Sequence, residues 1–374
     1  MTLPAASDLV PIPVIDLRDA GPVGHATEGR ARAELLRNEC VKWLPGIAAG
    51  LLPAMDWMTR RWLVRSSSPY IAELQAIADK LGFPGIWFLN GCYQWGCTTL
   101  ASEQGGAAPW LVRTLDWPFP GLGRRVELAQ MRGTAGDFVN VTWPGYVGVL
   151  TASAPGRFAA CINQAPMWRR TRQPWLRPYD IALNAGQTWT TRSIPPDHLL
   201  REVCESSKTF AEAKCRLEKT PIARPVIYTL VGCNRGERCV IERTQYSFIS
   251  RNHHTGAAND WLQSQPRWEA RVGAEVLFAY TSDQAAENSR DATILRHGHV
   301  PLRENLNGYR RRCSTRRPAL RSRCVLRAEF SGRSVMNGGK ASNCRNRQLR
   351  SANWRQPPKL PMFARERINK QADE

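Results

Sequence analysis

The sequence predicts an α+β layered fold, mainly helical before residue 97 and rich in strands after it. Three observations carry this. Upstream, apolar residues recur at helical spacing, as in Ile71, Leu74, Ile77, Ala78 and Leu81. From Thr98 to Asn163, short β-like runs are divided by turn residues such as Ala154-Pro155-Gly156. Helical spacing returns over Pro195 to Lys219, so strands lie between helical blocks. No internal repeat is visible.

The elements follow in order. Residues up to about Val23 are Pro-rich and read as extended, and Glu28 to Lys42 reads as a charged helix. Leu52 to Arg65 continues as helix or partly buried coil, with Met55, Trp57, Met58, Trp62 and Leu63. Ser68 offers an N-cap with Pro69 in the first turn, and Gly82 stops the helix that follows. Pro84 to Asn90 reads as a second, short helix. Strands are expected at Thr98–Ser102, Trp110–Trp117, Val126–Met131 and Phe138–Thr142. Tyr146–Ala152 and Phe158–Asn163 flank a hairpin turn, and Val226–Val231 and Cys239–Glu242 form another hairpin across Asn234-Arg235-Gly236.

The chain has 374 residues, 43% of them hydrophobic, enough for a substantial core. Fourteen Trp favour large apolar contacts and a roomy pocket. The net charge of +20 points first to nucleic acid. Its distribution weakens that reading, because residues 298–374 alone hold 19 of the 52 Lys and Arg against 5 of the 32 Asp and Glu. The body is only mildly basic. The tail, dense in Arg from Arg310 to Arg323, shows no helical or strand period. It reads either as a disordered basic extension or as a non-native end.

The 11 Cys include no C-x-x-C pair, and the six His form no ligand motif, so no metal and no cofactor is expected. Reduced, buried cysteines and the lack of a visible signal segment lead to the expectation of a cytoplasmic protein without a membrane span.

Chemistry concentrates at Cys97. It follows Gly96, precedes a strand-like run, and is followed sixteen and nineteen positions later by Arg113 and Asp116. This layout suits a cysteine that becomes a new N-terminus by cleavage after Gly96. Its own α-amine, with an ordinary pKa of about 7.7–8.0, is then a general base for the thiol. Glycine before it leaves room for attack on the preceding carbonyl. Arg113 suits holding the thiolate by charge-assisted hydrogen bonds, and Asp116 suits orienting the new amine. A neutral donor such as Asn is wanted for the oxyanion. A lone Cys would more often be a buried structural residue; the fixed spacing to Arg113 and Asp116 reverses that.

With these residues in place, the chain resembles the acid ceramidase and N-acylethanolamine acid amidase group of N-terminal-nucleophile (Ntn) hydrolases, related to choloylglycine hydrolases and penicillin V acylases. The resembling segments are Ile71-Ala72-Glu73 through Leu89-Asn90-Gly91, Gly96-Cys97-Thr98, Arg113-Thr114-Leu115-Asp116-Trp117, Gly145 to Thr151, Pro155 to Phe158, Cys161-Ile162-Asn163 and Thr220 to Arg243. They span roughly Ser66 to Arg296. The resemblance implies a four-layer αββα fold preceded by a mainly helical N-terminal segment. It divides the chain into 1–96 (a propeptide or α-subunit that stays packed on the rest), a catalytic region at 97–297 and a basic tail at 298–374. It also implies a site of Cys97, Arg113 and Asp116, with Asn259 at the oxyanion hole, Arg290 as a late active-site arginine and Asn163 as a further polar residue. Beside Asn163 ceramidase-like members prefer an acidic residue, where this chain has Gln164.

The expected function is hydrolysis of a linear amide in a small N-acyl amide substrate. Trp87, Phe88, Trp95, Trp117, Phe119, Trp143 and Tyr146 are candidates for the acyl pocket, with plain core as the competing reading. Two alternatives stand beside this: acyl transfer to an amine on the same fold, and nucleic-acid binding through Arg311, Arg312, Arg316, Arg317, Arg321 and Arg323.

Overall fold

The computed structural model describes residues 10–42, 49–92, 96–103, 109–117, 120–253, 255–263 and 265–270, together with the backbone of 310–311 and 322–328. All of these fall in one unit, Met1–Cys344.

Two short strands, β1 (Val10–Pro11) and β2 (Val14–Asp16), open the chain. Helices α1 (Gly21–Glu28) and α2 (Arg30–Val41) follow, where the sequence reading has an extended segment and one helix. Pro22 starts α1 early, since its fixed φ suits a first turn, and Gly29 divides the two. Next come α3 (Leu52–Leu63), α4 (Ile71–Leu81) and α5 (Ile86–Gly91). Gly82 ends α4 at φ +66°, a left-handed conformation that favours glycine. The expected Ser68 cap is displaced: Tyr70 holds the N-cap position, and Ser68 Oγ instead accepts from the Tyr70 N–H at 3.2 Å. The start of α5 is capped from another helix. Asp56 of α3 accepts from the N–H groups of Gly85 (2.6 Å) and Phe88 (2.8 Å), satisfying donors that have no partner within the helix.

From Gly96 the chain turns to β3 (Gly96–Ser102) and β4 (Trp110–Trp117), then α6 (Pro120–Arg124), β5 (Glu127–Met131) and β6 (Phe138–Thr142). The hairpin of β7 (Thr151–Ala154) and β8 (Phe158–Gln164) follows, then β9 (Met167–Trp168). Residues 146–150, read as strand, are a buried bent segment. Val147 N donates to Asn90 Oδ1 (2.8 Å) and Val149 N to the Asp197 carbonyl (3.1 Å), and the Leu150 carbonyl accepts from the Ile162 N–H of β8 (3.0 Å).

Helices α7 (Arg177–Thr190), α8 (Pro196–Ser206) and α9 (Phe210–Lys219) come next. The first has no counterpart in the sequence reading. The break between the other two is made by Thr209, whose Oγ1 accepts from the Glu212 N–H at 3.1 Å. The remaining strands are β10 (Val226–Gly232), β11 (Arg238–Arg243), β12 (Phe248–Arg251), β13 (Gly256–Ala257), β14 (Trp268–Glu269), β15 (Arg310–Arg311) and β16 (Ser322–Ala328).

An eight-stranded sheet has the order β12-β11-β10-β8-β7-β6-β5-β2, and a four-stranded sheet has β13-β3-β4-β16. Helices α8 and α9 cover one face of the large sheet, where Tyr228 Oη of β10 donates to the Pro196 carbonyl at 2.9 Å. The small sheet packs on the other face, where Thr99 of β3 meets Thr229 of β10 at 3.0 Å between hydroxyls. The described residues thus stack helix, sheet and sheet. Strand β16 lies within the basic tail and pairs antiparallel with β4 over its whole length, Ser322 opposite Trp117 and Ala328 opposite Leu111. Val325-Leu326 supplies it with strand-forming residues inside an otherwise unperiodic stretch.

The N-terminal segment is tied to the large sheet at its β5 edge. β2 runs parallel to β5, and Glu127 of β5 is buried between His25 Nε2 (2.5 Å) and Arg32 Nε (2.5 Å). Burial pushes the Glu127 carboxyl up, but the bonds from His25 and Arg32 outweigh it and hold the group below its ordinary 4.5. A depressed folded pKa gives stability that is present above the unfolded value and lost as pH falls through the folded one. Glu127→Gln is expected to cost about 1–3 kcal/mol near neutral pH, with the gap to wild type closing below about pH 4. Urea unfolding at several pH values checks this; a gap that widens toward acid would refute it.

Candidate active site

The site is built where the two sheets face each other. In the β3–β4 ladder Cys97 lies opposite Leu115 and Thr99 opposite Arg113. Side chains alternate along a strand, so Cys97, Thr99, Arg113 and Leu115 share one face, with Cys97 and Arg113 diagonal neighbours. Thr99 identifies that face as the one turned to the large sheet.

Arg113 is 1% exposed and crosses between the sheets. Its Nη2 donates to Cys97 Sγ at 3.1 Å and to the Ile162 carbonyl at 2.6 Å. Its Nη1 donates to the Leu150 carbonyl at 2.7 Å and to Thr151 Oγ1. Among the described residues these partners are all neutral, so the guanidinium keeps its charge for the sulfur. The sequence reading did not find Leu150, Thr151 or Ile162: two act through backbone carbonyls, which leave no mark on residue type.

Asn163 of β8 is fully buried, and its Nδ2 faces the carbonyls of Cys97 (3.3 Å), Ala257 (3.2 Å) and Ala258 (3.2 Å). It joins the Cys97 backbone to the segment that carries Asn259. Asn259 Oδ1 accepts from the Cys97 N–H at 2.7 Å, and its Nδ2 donates to the Gln164 carbonyl at 3.0 Å. Both contacts agree on the amide's orientation, since an N–H needs an acceptor and a carbonyl needs a donor. Asn259 therefore holds the Cys97 nitrogen.

The structure thus gathers Cys97, Arg113, Asn163 and Asn259 from β3, β4, β8 and the segment after β13. For Asp116 the backbone alone is described, and it lies opposite Gly96 in the ladder. Arg290 lies outside the described residues. Cys161 sits on β8 two residues before Asn163 and is a second buried thiol. Burial pushes it up to about 12, only partly offset by Arg113, so it is protonated at neutral pH.

The aromatic candidates divide. Trp143 and Tyr146 are core: Trp143 Nε1 donates to the Leu122 carbonyl at 2.7 Å, and Tyr146 Oη to Asp197 Oδ2 at 2.8 Å. Trp87 is also core, and Phe88 is half-buried in α5. The side chains of Trp95, Trp117 and Phe119 lie outside the described residues. A different group gathers near Asn259: Trp268 meets Trp168 and Trp261 edge-on, with ring centroids 5.2 and 5.4 Å apart. Tertiary pairing of β9 with β14 makes this cluster, and no sequence spacing announces it.

No family model matches the chain. An N-acylethanolamine-hydrolyzing acid amidase of Oryctolagus cuniculus is 27% identical over 183 residues, 47% of this chain and 48% of that protein. An acid ceramidase of Heterocephalus glaber is 27% identical over 203 residues, 47% of this chain and 48% of that protein. A solved structure, the Caenorhabditis elegans N-acylethanolamine-hydrolyzing acid amidase ortholog, aligns with a TM-score of 0.35 and 16% identity, over 57% of this chain and 91% of that one. The chain spans about half the length of the relatives it matches.

Thr151→Val keeps the side-chain shape and removes one acceptor from the buried Arg113. It is expected to lower the unfolding free energy by about 1–3 kcal/mol, measured by urea titration. A change within about 0.3 kcal/mol would mean that the guanidinium does not depend on this hydroxyl.

Proposed function

We propose that the chain is a cysteine Ntn amidase that hydrolyses the linear amide of a small N-acyl amide, after cleavage between Gly96 and Cys97. The observation that carries this is the double hold on Cys97, with Arg113 Nη2 on its sulfur and Asn259 Oδ1 on its nitrogen. A structural cysteine needs neither. An N-terminal nucleophile needs both, because its sulfur attacks while its nitrogen takes the proton. Similarity to two kinds of amide hydrolase supports the same reading.

In the continuous chain Cys97 is 0% exposed, so its thiol is closed to an external amide. Cleavage is the step that gives it a substrate. Cys97 Sγ attacks the Gly96 carbonyl, the C–N bond breaks, and the nitrogen takes the thiol proton. Water then hydrolyses the thioester, leaving a Gly96 carboxylate and a free Cys97 amine. In turnover the amine takes the Sγ proton and sulfur attacks the acyl carbonyl. The amine product departs with that proton, and water releases the acid.

In this scheme Arg113 holds the thiolate and Asn163 fixes the Cys97 carbonyl. Asp116, next to the cleavage point in register, would orient the new amine. For Asn259 to serve the oxyanion as well, its Nδ2 has to leave the Gln164 carbonyl when substrate binds. Residues 1–96 form the N-terminal subunit in this reading and 97–297 the catalytic region.

Denaturing intact-mass spectrometry tests the maturation. Two fragments ending at Gly96 and beginning at Cys97, replaced by one intact chain in Cys97→Ala, are the expected result. Fragments that persist in Cys97→Ala would overturn it. Turnover is tested with a lauroyl aminocoumarin amide. Release of free lauric acid whatever amine is added supports hydrolysis, whereas conversion to a new amide as amine concentration rises would identify an acyltransferase.

A further inference from the structure

The segment that presents Asn259 to Cys97 runs from Gly256 to Leu262, and β13 is the only regular element in it among the described residues. A loop of this kind needs side chains from elsewhere to hold it, because its own backbone supplies few ladder bonds. The large sheet supplies them. Across its strands Asn163, Ile227 and Glu242 stand in one row of the ladder, and Cys161, Thr229, Val240 and Arg251 stand in the next. Thr229 faces the small sheet, so Glu242 lies on the same side as Asn163.

Glu242 is 3% exposed. Its Oε1 accepts from the Leu262 N–H at 3.0 Å and from Arg251 Nε at 3.3 Å and Nη2 at 3.2 Å. Arg251 Nη2 also donates to the Gly256 carbonyl at 2.9 Å. One buried ion pair thus grips both ends of the segment, while Asn163 holds the carbonyls of Ala257 and Ala258 between them. Asn259 is the next residue.

A buried ion pair is a poor source of stability, since desolvation offsets most of its attraction. What it supplies is geometry: a charged pair has few good arrangements, and misplacing a reacting group by about 1 Å can cost a hundredfold in rate. We propose that Glu242 is a positioning residue, which with Arg251 fixes Gly256–Leu262 so that Asn259 Oδ1 stays on the Cys97 nitrogen. This rests on the reading of Cys97 as the nucleophile. It adds to that reading a residue that touches neither substrate nor sulfur and acts only through Asn259.

The test is a double-mutant cycle in the full chain, reading the rate of Gly96–Cys97 cleavage by intact mass and kcat and KM for the lauroyl aminocoumarin amide. Glu242→Ala is expected to slow cleavage and kcat by about a hundredfold with KM nearly unchanged. Glu242→Gln keeps an acceptor for Leu262 and is expected to recover most of that loss. Glu242→Ala combined with Asn259→Ala is expected to be no slower than Asn259→Ala alone, because the first residue acts through the second. Wild-type rates in Glu242→Ala, or losses that multiply in the double variant, would overturn the proposal. If Glu242→Ala fails to fold, Arg251→Met enters the same cycle with the same criteria. Cys97→Ala runs alongside: if it still cleaves and turns over, the nucleophile reading and this proposal fall together. If it is inactive while the Glu242 variants behave as wild type, only the positioning role falls.

Discussion

The Arg113 guanidinium is the constraint around which the site is arranged. A charge taken out of water needs either an opposite charge or a full set of acceptors. Among the described residues Arg113 meets the second need at its two terminal nitrogens, through the Leu150 and Ile162 carbonyls, the Thr151 hydroxyl and the Cys97 sulfur, while its Nε has no acceptor. Those acceptors belong to the large sheet and the sulfur to the small one. The spacing and relative register of the two sheets are therefore set together with the surroundings of the sulfur. A carboxylate partner in the acceptors' place would bind the arginine more strongly and leave less of its charge for Cys97.

The second organising feature is how much of the contact between residues before 97 and residues after it is buried and polar. Arg201 pairs with Glu73 and lies over the Tyr70 ring at 4.0 Å, and Tyr70 Oη donates to Glu205 at 2.7 Å. Ser68 Oγ bonds His198 Nδ1 at 2.7 Å, and Asn90 Nδ2 donates to the Gly145 carbonyl at 2.9 Å. Burial holds the His198 imidazole below its usual value, so it sits neutral in this interface. None of these contacts depends on the Gly96–Cys97 bond. A cut there would leave the interface intact, and partners buried on both sides would be costly to separate.

Much of this was legible in the residues. Strands β4 and β6 match the sequence reading residue for residue, and α4 ends at Gly82 as expected. The tight turns at 154–156 and 234–236 sit where Pro and Gly place them. These features are local, governed by periodicity and by backbone freedom at single residues. The errors are equally physical. The Ser68 hydroxyl is drawn to His198 and to the Tyr70 N–H, so the helix starts two residues later than its sequence cap suggests. Residues 146–150 have the composition of a strand, yet Asn90 and Asp197 take the N–H groups of Val147 and Val149. The aromatics near the motif include core residues, while Trp168, Trp261 and Trp268 cluster from far along the chain.

By itself the sequence determined the identity and spacing of Cys97, Arg113 and Asp116, and the alternation that puts the first two on one face of a hairpin. It did so because ladder register carries short-range information. Only the tertiary structure decided what surrounds them. Asn163 and Asn259 reach Cys97 from 66 and 162 residues away, Thr151 is chosen by sheet packing, and Glu242 meets Leu262 across 20 residues. Those contacts depend on which strands the fold brings together and on carbonyls that every residue type possesses, so residue identity could not announce them.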